Sequence, residues 1–224
     1  MTKSERQHEP ERPLEAARLR RQAHPRIGVL AIQGDYAAHA AALEECGAVA
    51  SLVRTPEDLR LDGRSLDGLI LPGGESTTML KFLERPNPAG HNFFDSLKTF
   101  ASAHPVFGTC AGAILLAREV LHPPQRSLGL LDAVVQRNAY GRQIHSSIQT
   151  APSEIPGEPL EMVFIRAPRI VETGPGVEVL ARRDGSPVLV RQGMLMAATF
   201  HPEMSKDRRV HRLFVQMVRS RANG

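Results

Sequence analysis

The chain has 224 residues, 42% hydrophobic and 23% charged, a balance that buries a sizeable core and fits a single ordinary soluble domain. Its formal charge of +4 comes mostly from residues 1–26, which hold seven of the 28 Lys/Arg and four of the 24 Asp/Glu, so the remainder is nearly neutral and no nucleic-acid face is expected. Two cysteines without a CxxC pair, histidines at no zinc-finger spacing and no apolar run near ~20 residues exclude a disulfide framework, a structural metal site and a membrane span.

The first 25 residues, "MTKSERQHEPERPLEAARLRRQAHP", are rich in Arg, Glu, Gln and Pro and contain no apolar signal core. They cannot offset their ordering entropy by burial, so a disordered extension is expected, although "PLEAARLRRQ" is compatible with a short helix. A cytoplasmic protein with reduced thiols follows, the four Glu arguing against an Arg-rich transit peptide. From Arg26 the chain alternates. "RIGVLAI" reads as a buried strand and "DYAAHAAALEECG" as a helix with Asp35 as N-cap and Gly47 as C-cap. "VASLV" and "GLILP" are further strands, "STTMLKFLE" and "NFFDSLKTFASAH" helices, "PVFGT" a strand and "AGAILLARE" a helix. Apolar strands separated by helices predict an α/β fold: an open, mostly parallel sheet with helices on both faces. After residue 127 come short strands, "AVVQRN", "EMVFIRA", "VEVLARR", "PVLVRQ" and "MLMAATF", which read as a small antiparallel layer. A last helix, "SKDRRVHRLFVQMVRSR", places Val210, Leu213, Phe214, Met217 and Val218 on one face. One domain over residues 26–221 is expected.

"GTCAG" puts Cys110 between Gly108 and Gly112 where a strand meets a helix. This is the GxCxG form of a nucleophile elbow: a sharp turn lifts the thiol to a helix N-terminus, where free N–H groups favour thiolate and the Ala111 N–H can donate to an oxyanion. The same residues also suit a small buried cysteine in a glycine turn, and alone they do not choose. "ATFHPE" ends an apolar strand with His201 and Glu203 two residues apart. If extended geometry persists, both side chains point the same way and the carboxylate can orient the imidazole. Alternatively these are a strand-end histidine and a surface glutamate. "LILPGGESTTM" runs a strand into Pro72, Gly73 and Gly74, a loop whose N–H groups can approach a substrate closely. A phosphate cradle would lack its lysine and face Glu75; a plain βα turn with Ser76 as N-cap is the simpler alternative. All three stretches fall at carboxyl ends of strands, where an open parallel sheet places its site.

Taken together, "GVLAIQGDYAAH", "LPGGESTTM", "GTCAGAILLA", "GLLDAVVQRNAYGRQ", "FIRAP" and "ATFHPE" resemble the class I, triad-type glutamine amidotransferases, and within them the glutaminase subunits of pyridoxal 5′-phosphate synthase. The resemblance runs from about Arg26 to Ser220. It implies a flavodoxin-like fold and hydrolysis of L-glutamine to glutamate and ammonia, with Cys110, His201 and Glu203 as catalytic triad and N–H groups of Gly74 and Ala111 as oxyanion hole. It also implies a glutamine pocket at Gly73, Gly74, Glu75, Arg137, Ile165 and Arg166, no cofactor or metal, and a (β/α)8-barrel synthase partner that receives the ammonia. Gln33 and Asp35 of "QGD" would lie near the docking face. For Arg137 and Arg166 a solvated or salt-bridged arginine is the reading without the resemblance. The extension, the loop "ERPNPAGHN" and the run "IHSSIQT" depart from the family pattern, and Cys46 reads as a core residue. A stand-alone cysteine hydrolase of γ-glutamyl substrates, the amidotransferase subunit of another pathway and a non-enzymatic module are the alternatives.

Overall fold

The apolar runs of the first half become β1 (Arg26–Leu30), β2 (Val49–Val53), β5 (Gly68–Leu71) and β6 (Val106–Thr109), with a small hairpin of β3 (Arg60–Leu61) and β4 (Arg64–Ser65) before β5. The structure is a computed structural model that describes residues 24–87, 90–137 and 147–223. The expected disordered segment up to residue 23 and the departure at 144–146 lie outside these residues. β12 (Glu178–Arg183), β13 (Ser186–Gln192) and β14 (Leu195–Ala198) complete a seven-stranded sheet in the order β12-β13-β14-β6-β5-β1-β2. From β2 to β14 neighbours run parallel, and β13 and β12 add antiparallel at one edge. The small separate sheets are β7 (Ala117–Leu121) with β8 (Leu131–Gln136) and β11 (Arg169–Thr173), and β9 (Ser147–Ala151) with β10 (Leu160–Phe164).

Side chains alternate across the central strands and feed two separate cores. Leu30, Leu69, Leu71, Val106 and Ala197 pack with α2 (Ser76–Leu83), α3 (Phe93–Ala103) and α4 (Ala111–Leu116) on one face. Ile27, Val29, Ile70, Phe107 and Met196 pack with α1 (Tyr36–Glu45) and α5 (Arg209–Asn223) on the other. Each fully buried Phe or Leu in these layers stabilises the fold by about 1.5–3 kcal/mol. Burial on both faces explains why the strands read as continuous apolar runs, and the expected parallel sheet with two helical layers is what forms. Among the described residues no helix is long and apolar enough to cross a membrane.

Several local expectations need correction. "MLMAATF", grouped with the antiparallel strands, pairs in parallel with β6 as β14, Ala198 opposite Thr109. "AGAILLARE" is helical only to Leu116; Ala117 onward extends and pairs with β8, burying Ala117 and Val120, so tertiary pairing overrides local helix preference. Asp35 does cap α1, its Oδ1 accepting the Ala38 N–H at 3.1 Å, but the C-cap is Cys46, and Gly47 follows it with φ 76°. On α5, Val210, Phe214 and Val218 are buried as expected while Leu213 and Met217 are only partly so; Val215 and His211 complete the face. Cys46 packs half-buried against that core.

Candidate active site

β6 ends at Thr109 and the chain turns within one residue. Cys110 sits at φ 47°, ψ −102°, a backbone region that costs an L-residue on the order of 1–3 kcal/mol and persists only where the surroundings enforce it. Its N–H donates to the Ala198 carbonyl at 2.8 Å, continuing the β14 ladder, and α4 begins at the next residue. The flanking glycines are needed because this helix lies directly on the strand ends. A Cβ on Gly112 would run into the Leu71 carbonyl, and one on Gly108 would lie 2.5 Å from the Gly112 carbonyl oxygen.

His201 and Glu203 meet, but not by strand alternation. β14 ends at Ala198, the His201 N–H donates to the Val163 carbonyl at 2.8 Å, and Pro202–Met204 form a single 3₁₀ turn that folds Glu203 back against the ring. His201 Nδ1–H then donates to Glu203 Oε1 at 2.8 Å, and the glutamate side chain has no exposed surface. Burial drives the His201 pKa down, yet hydrogen bonds to the Cys110 and Glu203 side chains and their negative charges outweigh it and raise the value to about 10. At neutral pH the ring is an imidazolium between sulfur and carboxylate.

The Pro72–Ser76 loop closes the site from β5. Gly73 lies against the His201 ring, and Gly74 has φ 149°. Gly34, after β1, lies so close that a Cβ there would overlap the Gly73 carbonyl, and the neighbouring Gln33 Oε1 accepts the Glu75 N–H at 3.2 Å. The N-cap of α2 is Glu75 rather than the expected Ser76. Glu75 is extended, and its carboxylate accepts the Thr77 N–H at 3.0 Å and the Thr78 N–H at 2.7 Å. Ser76 is instead the first helical residue and donates to Gln125 Oε1 at 2.9 Å. Desolvation opposes the Glu75 charge, but the hydrogen bonds from Thr78 and Thr77 win and take its pKa down to about 2. Arg137, at the end of β8, donates to Thr77 Oγ1 at 2.8 Å and lies 3.3 Å from Glu75 Oε1.

A cavity of about 200 Å³ opens between these groups. Of the residues singled out from sequence, Gly74, Glu75, Cys110, Arg137, Ile165, Arg166 and His201 line it; Gly73 stands behind the His201 ring and Ala111 is buried at the start of α4. Arg166 lies exposed in the bend two residues past β10, with φ 44°, and lines the cavity. "NAYGRQ" beyond Arg137 falls outside the described residues.

Residues 29–220 match the SNO glutamine amidotransferase family. The chain belongs to that family. Among SNO-family relatives, pyridoxal 5′-phosphate synthase subunit PdxT of Koribacter versatilis is 56% identical over 199 residues, spanning 89% of this chain and 98% of that protein. The protein of the same name from Solibacter usitatus is 52% identical over 200 residues, spanning 86% and 99%. A crystal structure described as a glutamine amidotransferase superposes with a TM-score of 0.74 at 44% identity, over 86% of this chain and 98% of that one.

Some residues at this SNO-family site carry no signal in the sequence reading. Ser76, Ile114 and Pro168 line the cavity, and Thr77 fixes Arg137. His39 of α1, fully buried, places Nε2 3.2 Å from Glu203 Oε2. A histidine in an alanine-rich helix gives no sign of such a contact, because the glutamate is 164 positions away in the chain.

Proposed function

We propose that this chain hydrolyses L-glutamine to L-glutamate and ammonia through a Cys110 thioester, and passes the ammonia to a pyridoxal 5′-phosphate synthase partner in vitamin B6 biosynthesis. The partner is a (β/α)8-barrel subunit, and the reaction takes place in the cytoplasm. The observation that carries the chemistry is His201, bound to the buried Glu203 at 2.8 Å, lining the same cavity as Cys110. The names of relatives at up to 56% identity carry the pathway.

In this reading the Cys110 sulfur, as thiolate, attacks the side-chain amide carbon of glutamine, and the oxyanion that develops takes hydrogen bonds from the N–H groups of Gly74 and Ala111. The C–N bond breaks as His201 gives its proton to the nitrogen, and ammonia leaves. Neutral His201 then takes a proton from water, hydroxide adds to the thioester carbon, and the C–S bond breaks to return thiolate, imidazolium and glutamate. Glu203 keeps the ring in the tautomer and orientation that both steps need. Gly73, Gly74, Glu75, Arg137, Ile165 and Arg166 hold the glutamine. Arg137 is well placed for an α-carboxylate, since Thr77 and Glu75 already fix its direction. Side chains and water suffice, so no cofactor is used.

The test is ammonia release from L-glutamine by the purified chain, with and without the synthase subunit of the same organism. Turnover that rises with the synthase and vanishes in Cys110→Ala is expected. Full activity in Cys110→Ala would remove the triad mechanism. Stimulation only by a synthase outside B6 biosynthesis, or faster partner-free turnover of γ-glutamyl peptides, would replace the pathway assignment.

A further inference from the structure

Glu203 has two carboxylate oxygens and the scheme above uses one. Oε1 accepts from His201, while Oε2 is buried and has no aligned hydrogen bond among the described residues. A bare carboxylate oxygen in a dry interior is costly, so the group that faces it decides whether the carboxylate keeps its place. That group is His39. Its Nε2 lies 3.2 Å from Glu203 Oε2 and 3.1 Å from Thr109 Oγ1, and on the other side of its ring Nδ1 lies 3.0 Å from His211 Nε2. The ring is fully buried against the edge of Phe107, with centroids 6.5 Å apart.

The surroundings set the protons. A lone pair on His39 Nε2 would point at a carboxylate, so Nε2 carries the hydrogen and Nδ1 accepts. His211 must then donate from Nε2, which leaves its Nδ1, without a partner among the described residues, as an acceptor rather than a stranded N–H. This places one proton on each ring, the neutral state that burial demands. Desolvation foremost, then electrostatic coupling to His211 and His201, holds the His39 pKa well below its ordinary value. Desolvation followed by Arg208 takes His211 down to about 3 against an opposing pull from Glu45. The titratable groups facing His39 are thus Glu203 and His201 from the segment after β14 and His211 from α5, with Cys110 beyond His201.

We infer that His39 is a positioning residue for the triad: its Nε2–H, shared between Glu203 Oε2 and the Thr109 hydroxyl, holds the carboxylate whose other oxygen orients His201. The inference rests on the glutaminase reading. His39 does not line the cavity and acts on the triad through Glu203. A hydrocarbon of similar size would fill the space and leave Oε2 without a donor. The contact crosses from α1 to the turn at Pro202–Met204, so it ties the Glu203 carboxylate to the helix that begins beside the Gln33–Asp35 loop.

The experiment compares His39→Leu, which keeps the volume, with His39→Gln, which sets an amide N–H near the position of Nε2, both assayed with the synthase present. His39→Leu should lower kcat about tenfold or more with KM for glutamine unchanged, by analogy with other outer-shell partners of oriented groups. The alkaline limb of its kcat/KM profile should move to lower pH, because a loosened Glu203 supports the His201 imidazolium less. His39→Gln should restore most of both. A wild-type kcat and pH limb in His39→Leu would overturn the inference, and so would equal impairment of the two variants, which would mean packing alone. Nitrogen-15 NMR of the histidine rings in the unaltered protein tests the contact without any variant: a neutral His39 protonated on Nε2 is expected, and a proton on Nδ1 or a charged ring at pH 7 would overturn it. Wild-type protein that releases no ammonia with its synthase would instead defeat the glutaminase reading, and the tautomer still reports separately on the contact.

Discussion

Gly73 lies against the His201 ring so closely that a Cβ on residue 73 would stand 3.0 Å from Nδ1, the nitrogen that donates to Glu203, and would overlap Cε1. The loop after β5 and the His201 ring after β14 therefore share one surface. Gly73→Ala should push the ring off the Cys110–Glu203 line while leaving the fold intact. A shift near an ångström costs about a hundredfold in rate, so kcat for glutamine should fall by that order with an unchanged thermal midpoint. Wild-type kcat in this variant would show that the ring has room to move.

Gly112→Ala probes folding rather than chemistry. Its Cβ would meet the Leu71 carbonyl, a backbone group that cannot turn aside. Urea unfolding should show a loss of about 1–3 kcal/mol, the usual cost of forcing a methyl into a packed interior.

Glu203→Gln keeps the shape of a side chain that is fully buried and removes its charge. The His201 pKa, raised to about 10 in part by Glu203, should drop, and the alkaline limb of kcat/KM should move down with it. A loss of general acid-base function predicts a fall in kcat of about a thousandfold, measured as ammonia release. An alkaline limb that stays in place would remove Glu203 from its role.

Stability should be greatest near neutral pH. His201 has a folded pKa raised to about 10, so its contribution is complete below about 6.5 and is lost as pH rises towards 10. His39 and His211 are depressed, His211 to about 3, so the unfolded chain binds more protons than the fold below about 6.5, and stability falls as pH drops through that window. Thermal midpoints from pH 4 to pH 10 should trace this dome. His211→Gln keeps a donor towards His39 without a titrating ring, and should flatten the acid side.

Thr77→Val tests the substrate pocket. It removes the 2.8 Å hydrogen bond that directs Arg137 while leaving the Glu75 cap on the Thr77 N–H. If Arg137 holds glutamine, KM should rise several-fold with kcat little changed. An unchanged KM would return Arg137 to the salt-bridged surface reading.

The parallel strands were legible because both faces are buried, so "RIGVL", "GLIL" and "VFGT" read as apolar runs whatever their partners. That Cys110, His201 and Glu203 would come near one another was legible from residue types at strand ends, though the geometry of their meeting was not. His201 and Glu203 meet through the turn at Pro202, a local bend that spacing alone does not reveal. Ser76 suited an N-cap by type, but Glu75 occupies that place because its longer side chain reaches two N–H groups at once. β7 looked helical because "AREVL" continues a helix-forming run, and only its pairing with β8 makes it a strand. His39 was hidden for a different reason: its partners, residues 109, 203 and 211, are remote in sequence and give its own segment no pattern.

The overlap that a side chain at Gly34 would make with the Gly73 carbonyl has a consequence for how active molecules are counted. One side of the cavity takes its shape from chain positions near 34, 73, 110 and 201, which follow four adjacent strands of the sheet, and Arg137, Ile165, Arg166 and Pro168 close the other. These positions span most of the chain, so the arrangement exists only when the strands between them are assembled. If Cys110 is the nucleophile, covalent titration with a glutamine-like electrophile should therefore count the chains in which those strands have come together.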